Sequence, residues 1–274
     1  MTPRSVALAL TGVAAATTRP LGGEVHEVGL ADGDVVVVKR HPDAAGAAAE
    51  AAGLAWLAVP GGPPVPRVRG TSGRWLGVDR VPVGRPTVEA AEEFGRALAV
   101  LHLAGAEAFG VPPPGGPVEA TIGAAPMRNV AADSWAPWFL EHRIAPYTRS
   151  AVDAGVLTSA EAALVERVEV AAPEEPPARL HGDLWRGNVL WGTRAWLIDP
   201  AAHGGHRETD LAMLALFGCP HLDRVMGGYA DVAPLGAGWR ARAPLHRLFP
   251  LLVHAVLFGR GYAEQALEAV RALP

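Results

Sequence analysis

The chain has 274 residues, enough for one large domain or two lobes around a substantial core. Half of its residues are hydrophobic, 19% are charged and the formal net charge is −4, so its electrostatics give no case for nucleic acid or an anionic membrane as a partner. Cys219 is the single cysteine, which excludes an intrachain disulfide and fits a reducing cytoplasm, and no uninterrupted apolar run is long enough to span a bilayer.

Residues 1–12 read as a helix. Val6 to Ala16 also has the outline of a weak signal peptide, but Thr11 and Gly12 interrupt it and favour the first helix of a folded lobe. Glu24–Leu30 and Val35–Lys39 read as two strands joined by a tight turn at Ala31-Asp32-Gly33-Asp34. Before them, Gly22 and Gly23 in Leu21-Gly22-Gly23-Glu24 could let backbone N–H groups approach a phosphate, although an ordinary turn fits nearly as well. Neither GxGxxG nor GxxxxGK[ST] occurs, so neither a dinucleotide-binding nor a Walker site is indicated. Ala44 to Val59 reads as a helix, ended by Pro60-Gly61-Gly62-Pro63-Pro64, and Arg74–Val81 as a further strand. A lobe boundary near Pro82–Pro86 divides a strand-rich lobe over 1–82 from a helical lobe over 83–274.

In the second lobe, Thr87–Ala104 has apolar residues at helical spacing, Val111–Gly116 is a Pro/Gly loop, and Ser134–Gly155 reads as one long helix or two. Thr158–Ala172 is another helix with Thr158 or Ser159 as N-cap. Glu208–Phe217 and Arg240–Leu273 are helical again. No internal repeat is present.

The segment His181–Asp199 carries the chemistry. Asp183 is followed five residues later by Asn188 and, after two short β-like runs, by Asp199. This is the order of a kinase-type phosphoryl-transfer site, in which one Asp accepts a hydroxyl proton and an Asn and a second Asp hold Mg²⁺. The residue types suit the reaction, which needs a positioned nucleophile and hard oxygen ligands for the metal rather than covalent catalysis. Polar turn residues are common in loops, but His-Gly-Asp, Asn and a strand-end Asp-Pro in this order outweigh that reading. Asp183 is the candidate base, and Asn188 and Asp199 are the candidate metal ligands. Lys39, the only lysine in the chain, ends the run Val35–Val38, and a charge at a buried strand end needs a partner or a ligand. Glu50, eleven residues on in the Ala-rich helix, would be the helix Glu that pairs with a strand Lys in kinase folds. Asp210 sits where it could hold the His181 loop from below, or complement a helix dipole. His203-x-x-His206 with His221 gives only a faint zinc signal. Cys219 lacks an activating base and reads as structural.

HGDLWRGN, then IDPA, then GHRETDLAMLALFG resembles the fructosamine kinase (ketosamine-3-kinase) family, within the wider group of aminoglycoside phosphotransferases and choline kinases. Weaker likeness runs through Leu101-His102, Thr121-Ile122-Gly123, Trp138-Phe139 with Glu141 and Arg143, and His254 with Phe258-Gly259 and Tyr262. The resemblance implies a two-lobed, protein-kinase-like α+β fold with ATP between the lobes. It implies phosphorylation of a sugar hydroxyl on a small or protein-bound glycated amine. It places Asp183 as the catalytic Asp with His181 in its loop, Asn188 and Asp199 at Mg²⁺, Lys39 and Glu50 at the phosphates, and Asp79, Arg80 and Val81 at adenine. Trp185 is implied as a wall of the sugar pocket, and His203 lies near that pocket. Arg186, Ala202, His203 and Asp79 depart from the family pattern, chiefly around the sugar. Two rivals stand beside this reading: a kinase for an aminoglycoside- or choline-like amine, and a nucleotide-binding pseudokinase. The sequence sets no oligomeric state.

Overall fold

A computed structural model describes residues 1–170 and 174–273. Helix α1 (Pro3–Thr11) precedes an antiparallel sheet of β1 (Ala15–Gly22), β2 (Val25–Leu30), β3 (Val35–Arg40), β4 (Val68–Ser72) and β5 (Trp75–Asp79), ordered β1-β2-β3-β5-β4. The pleat of β3 decides what faces where. Alternation sends Val36 and Val38 to the face covered by α1, where they pack with Val6, Val28 and Trp75. It sends Val37 and Lys39 to the other face, which lines a cleft. Helix α2 (Ala44–Leu57) starts at Asp43, whose side chain accepts from the Gly46 N–H at 2.8 Å. Its buried stripe is Ala47, Glu50, Leu54 and Leu57, so helical spacing carries Glu50 inward with the apolar residues that pack on Leu76.

The remainder is mainly helical. It comprises α3 (Val88–Leu103), the hairpin β6 (Glu119–Ile122) and β7 (Ala125–Arg128), and α4 (Trp135–Phe139) running through a π-helical turn at Leu140–Ile144 into α5 (Ala145–Asp153). Then come α6 (Ser159–Glu166), β8 (Ala178–Leu180), β9 (Val189–Leu190), β10 (Trp196–Leu197), β11 (His203–Gly205), α7 (Glu208–Leu216), α8 (Leu222–Val232), α9 (Trp239–Phe258) and α10 (Arg260–Arg271). Strands β9 and β10 form a two-stranded ladder, as do β8 and β11. Helices α3 and α8 meet backbone to backbone: a Cβ on Gly95 would lie 2.0 Å from the Val225 carbonyl oxygen, and one on Gly228 2.2 Å from that of Glu92.

The structure differs from the sequence reading in several places. Strands β1, β4, β8 and β11, the β6–β7 hairpin and helix α8 were not anticipated. The Arg240–Leu273 segment is two helices, broken at Gly259, whose φ of 94° lies outside helical space. The helix expected to reach Ala172 ends at Glu166, and residues 171 and 172 lie outside the described residues. Among the described residues no helix is long and apolar enough to cross a membrane.

Helix α2 is also fastened to the helical part. The Arg179 guanidinium donates to the Trp56 carbonyl at 2.7 Å and lies over the Trp56 ring. A Cβ on Gly53 would meet Pro200 at 3.1 Å, and β6 packs against the helix as well.

Candidate active site

The cleft under the sheet has a volume of about 410 Å³ and is lined by Gly22, Val37, Lys39, Glu50, Val81 and Asp199 among others. Lys39 Nζ lies 2.7 Å from Glu50 Oε2 and 2.9 Å from Asp199 Oδ1, joining β3, α2 and the segment after β10. His41 Nε2 is 3.2 Å from the same Glu50 oxygen. Burial alone would lower the Lys39 pKa, but the carboxylates of Glu50 and Asp199 outweigh it and raise it. Burial likewise pushes Glu50 up, while His41 and Lys39 bring it below its ordinary value. Asp199 is raised, first by burial and then by the charge of Glu50. It also holds φ at 53°, uncommon for a side chain larger than glycine. Two carboxylates sharing one lysine leave negative charge that a bound cation would relieve.

The His181–Asn188 loop is fixed by hydrogen bonds of definite direction. Asp210, on α7, accepts from the His181 N–H at 2.7 Å and the Gly182 N–H at 3.0 Å. It also faces His102 Nε2 at 3.2 Å, and His102 Nδ1 is 2.8 Å from the Tyr229 hydroxyl. Although burial alone would raise Asp210, the bond from His102 and the charges around it hold its pKa below the usual carboxylate value. His181 Nε2 must donate to the Ile198 carbonyl, 2.9 Å away, which leaves Nδ1 to accept the Asp183 N–H at 3.3 Å. The Asn188 amide nitrogen donates to the Asp183 carbonyl and to Asp183 Oδ2, both at 2.9 Å, and to the Asp199 carbonyl at 3.4 Å. With its nitrogen so engaged, the Asn188 Oδ1 is presented as a hard oxygen donor. Together with the Asp199 carboxylate it fits a divalent cation such as Mg²⁺. Burial raises the Asp183 pKa, which makes its carboxylate a better proton acceptor.

Trp185 follows two residues after Asp183 and is 37% exposed. Its ring centroid is 6.4 Å from that of Phe217, which is 4.6 Å from that of His254. His203, expected near the sugar, is placed elsewhere. It is 1% exposed, its Nδ1 donates to the Ala201 carbonyl at 2.9 Å, and its ring packs against Trp138. Pairing of β11 with β8 turns the side chain into the interior, where burial and then Arg143 push its pKa down to about 3. Asp79 is paired with Arg69 and Arg80 with Glu27, and both line the cleft beside buried Val81. Gly22 and Gly23 form the β1–β2 turn with φ of 140° and 51°, and of the two Gly22 reaches the cleft lining. Arg186 is exposed on the single 3-10 turn Arg186–Asn188.

Among the described residues, the potential metal ligands that converge are His206, Glu208 and His246. Most of their polar atoms are already engaged, although His206 Nε2 is buried without a hydrogen-bond partner. His206 Nδ1 accepts the Glu208 N–H, His246 Nε2 faces Glu208 Oε2 at 3.2 Å, and Arg242 binds both Glu208 oxygens at 2.5 and 3.1 Å. These bonds overcome burial and hold the Glu208 pKa down to about 2. The cluster is an internal ion-pair network, with Arg242 as its cation. Cys219 is half-buried and its thiol is pushed up to about 12 by burial, which suits a structural role.

Sequence comparison decides the family. A family model described as fructosamine kinase matches residues 17–273. The chain belongs to the fructosamine kinase family. Among other family-related proteins, a "probable ketoamine kinase" of Synechocystis is 35% identical over 232 residues, covering 81% of this chain and 77% of that one. A crystal structure from Thermobifida fusca, provisionally named a fructosamine-3-kinase, superposes with a TM-score of 0.91 at 48% identity, covering 99% and 98% of the two chains. The macrolide 2'-phosphotransferase of Brachybacterium faecium aligns over 96% of both chains with a TM-score of 0.61 at 16% identity. That distant likeness speaks for the fold, which is the protein-kinase-like one. Around the candidate site, His41 and Tyr229 are additions to the sequence reading, whereas His102, Phe217 and His254 stood there only as points of family likeness without a role. The strand period gives a signal for His41, two residues beyond Lys39.

Proposed function

We propose that this fructosamine kinase transfers the γ-phosphoryl group of ATP to a sugar hydroxyl of a ketosamine, in a cleft between lobes that meet near Pro82. The observation carrying this reading is the convergence of Lys39, Glu50 and Asp199 from three elements, beside an Asp183 held by Asn188. Lys39 would anchor the phosphates, with Glu50 fixing its ammonium. Asp183 would orient the acceptor hydroxyl and take its proton as the oxygen attacks the γ-phosphorus and ADP leaves. Mg²⁺ held by Asn188 and Asp199 would supply charge neutralisation on the phosphate oxygens. Asp79, Arg80 and Val81 would border adenine, and Gly22 and Gly23 would cover the phosphates. Trp185 would form a wall against the sugar.

The acceptor is a glycated amine, free or protein-bound, and the cytoplasm is the compartment that fits the lone cysteine and an ATP-dependent reaction. ATP consumption against fructosamine, ribulosamine, an aminoglycoside and choline tests this. Turnover with the ketosamines alone is the expected result. Turnover with the aminoglycoside or choline instead would replace the acceptor class. A rise in melting temperature with Mg²⁺-ATP, but no turnover with any acceptor, would leave a binding protein.

A further inference from the structure

Five rings form a continuous row that starts at Trp185, two residues after Asp183, and ends at the exposed Phe258. Trp185 meets Phe217 at the end of α7, with ring centroids 6.4 Å apart and planes at 75°. Phe217 meets His254 of α9 at 4.6 Å and Tyr262 of α10 at 6.4 Å. Phe258, the last residue of α9, lies 5.4 Å from His254 and 5.9 Å from Tyr262. His254 is fixed by donating from Nδ1 to the Pro250 carbonyl at 2.7 Å, and it is among the groups whose field reaches Asp183.

This row is unlike the interior aromatic cluster. Trp135, Phe139 and Phe249 are almost fully buried, whereas the row is open at both ends and Phe258 is 66% exposed. Core packing alone does not require so large an apolar side chain in water at the end of such a row. The nearby charge is also taken up elsewhere: Arg260, between Phe258 and Tyr262 in sequence, is bound by Glu161 at 2.7 Å and by the Val156 carbonyl at 3.1 Å. Arg260 is therefore held away from the ring faces of this shelf.

We propose that this shelf receives the amine substituent of the acceptor, and that Phe258 makes the enzyme prefer ketosamines of aromatic amines over those of small amines. The inference rests on the ketosamine reading above. With the 3-hydroxyl of the sugar at Asp183, the amine sits on C1, two carbons away, so its substituent starts close to the catalytic loop and must leave the site from there. The row of rings supplies a path from the catalytic loop toward solvent. An aromatic substituent there would gain area burial and offset or edge-to-face ring contacts.

The test compares two acceptors with the same sugar, N-fructosyl-benzylamine and N-fructosyl-methylamine, in the wild-type enzyme and in Phe258→Ala and Phe258→Leu. The wild type is expected to favour the benzylamine derivative by about tenfold in kcat/KM, mainly through KM, as a hydrophobic contact of this size allows. Phe258→Ala should reduce that ratio to about twofold, with Phe258→Leu between the two. Equal kcat/KM for the two acceptors in the wild type would overturn the inference and leave ketosamine phosphorylation standing. So would a preference that survives in Phe258→Ala. Absence of turnover with either acceptor, or with fructosamine itself, would overturn both readings.

Discussion

On the proposed phosphate side of the cleft, Lys39, Glu50 and Asp199 hold one another through ion pairs of 2.7 and 2.9 Å. On the acceptor side, Trp185, Phe217, His254 and Tyr262 touch through rings inclined at 31° to 75°. A displaced buried charge loses its partner and is left desolvated, so the first wall tolerates little movement. Ring contacts fall off gently with tilt and separation, so the second wall can be reshaped without disturbing the first. The difference separates the reaction from the choice of acceptor, since each wall can fail alone.

The largest expected effect is at Asp183, where the walls meet. Asp183→Asn should lower kcat by about 10²- to 10⁴-fold for every acceptor while leaving the KM for ATP near its wild-type value. Turnover within a few-fold of wild type would remove Asp183 from the proton-accepting role. The pH profile offers a second reading of the same group. A protonated carboxyl cannot accept a proton, so activity should fall as pH drops through the Asp183 pKa. Because burial raises that pKa, the acid limb should lie above the ordinary aspartate value of about 3.9.

Next in size is Lys39→Ala, which leaves Glu50 and Asp199 without their common cation. It should cost about 2 kcal/mol in denaturant unfolding of the ligand-free protein, less than a fully buried pair because Lys39 is partly exposed and His41 stays on Glu50. It should also weaken ATP binding. Lys39→Arg should impair turnover as well, since a planar fork cannot place its charge as a compact ammonium does. Wild-type ATP turnover in the arginine variant would sink the phosphate-anchoring role. Trp185→Ala should act on the other wall alone, raising the acceptor KM about tenfold with the ATP KM unmoved; equal changes in both constants would break the separation of the walls. The smallest effect is expected at Tyr229→Phe, which removes the hydroxyl behind His102 and should cost about 1 kcal/mol of stability. It lies below both walls, so it should not favour one acceptor over another.

The phosphate side was the more legible in sequence because its signals are local. Lys39 closes a valine run, Glu50 sits on the buried stripe of the next helix, and Asp183, Asn188 and Asp199 fall within one short segment. The acceptor side joins residues from 185 to 262, and only Trp185 was given a role there, His254, Phe258 and Tyr262 standing as points of likeness alone. His203 was misplaced because sequence adjacency to Asp199 says nothing about the pleat that turns it inward. Strands β1 and β4 were missed because both lie at sheet edges, β1 largely exposed and β4 half-buried without a buried position, so the backbone ladder, not apolar alternation, defines them. Helix α8 did carry a helical pattern in Leu222, Val225, Met226 and Tyr229. Gly227 and Gly228 hid it, and Gly228 is there because α3 passes too close for any side chain.

Helix α2 belongs to the sheet lobe by sequence, yet Arg179 and the Gly53–Pro200 contact bolt it to the opposite lobe. Lys39 rides on the sheet, and Glu50 rides on the bolted helix. The ion pair thus ties the sheet to a helix that is itself fastened on both sides, to Leu76 of the sheet and to Arg179 and Pro200 beyond it.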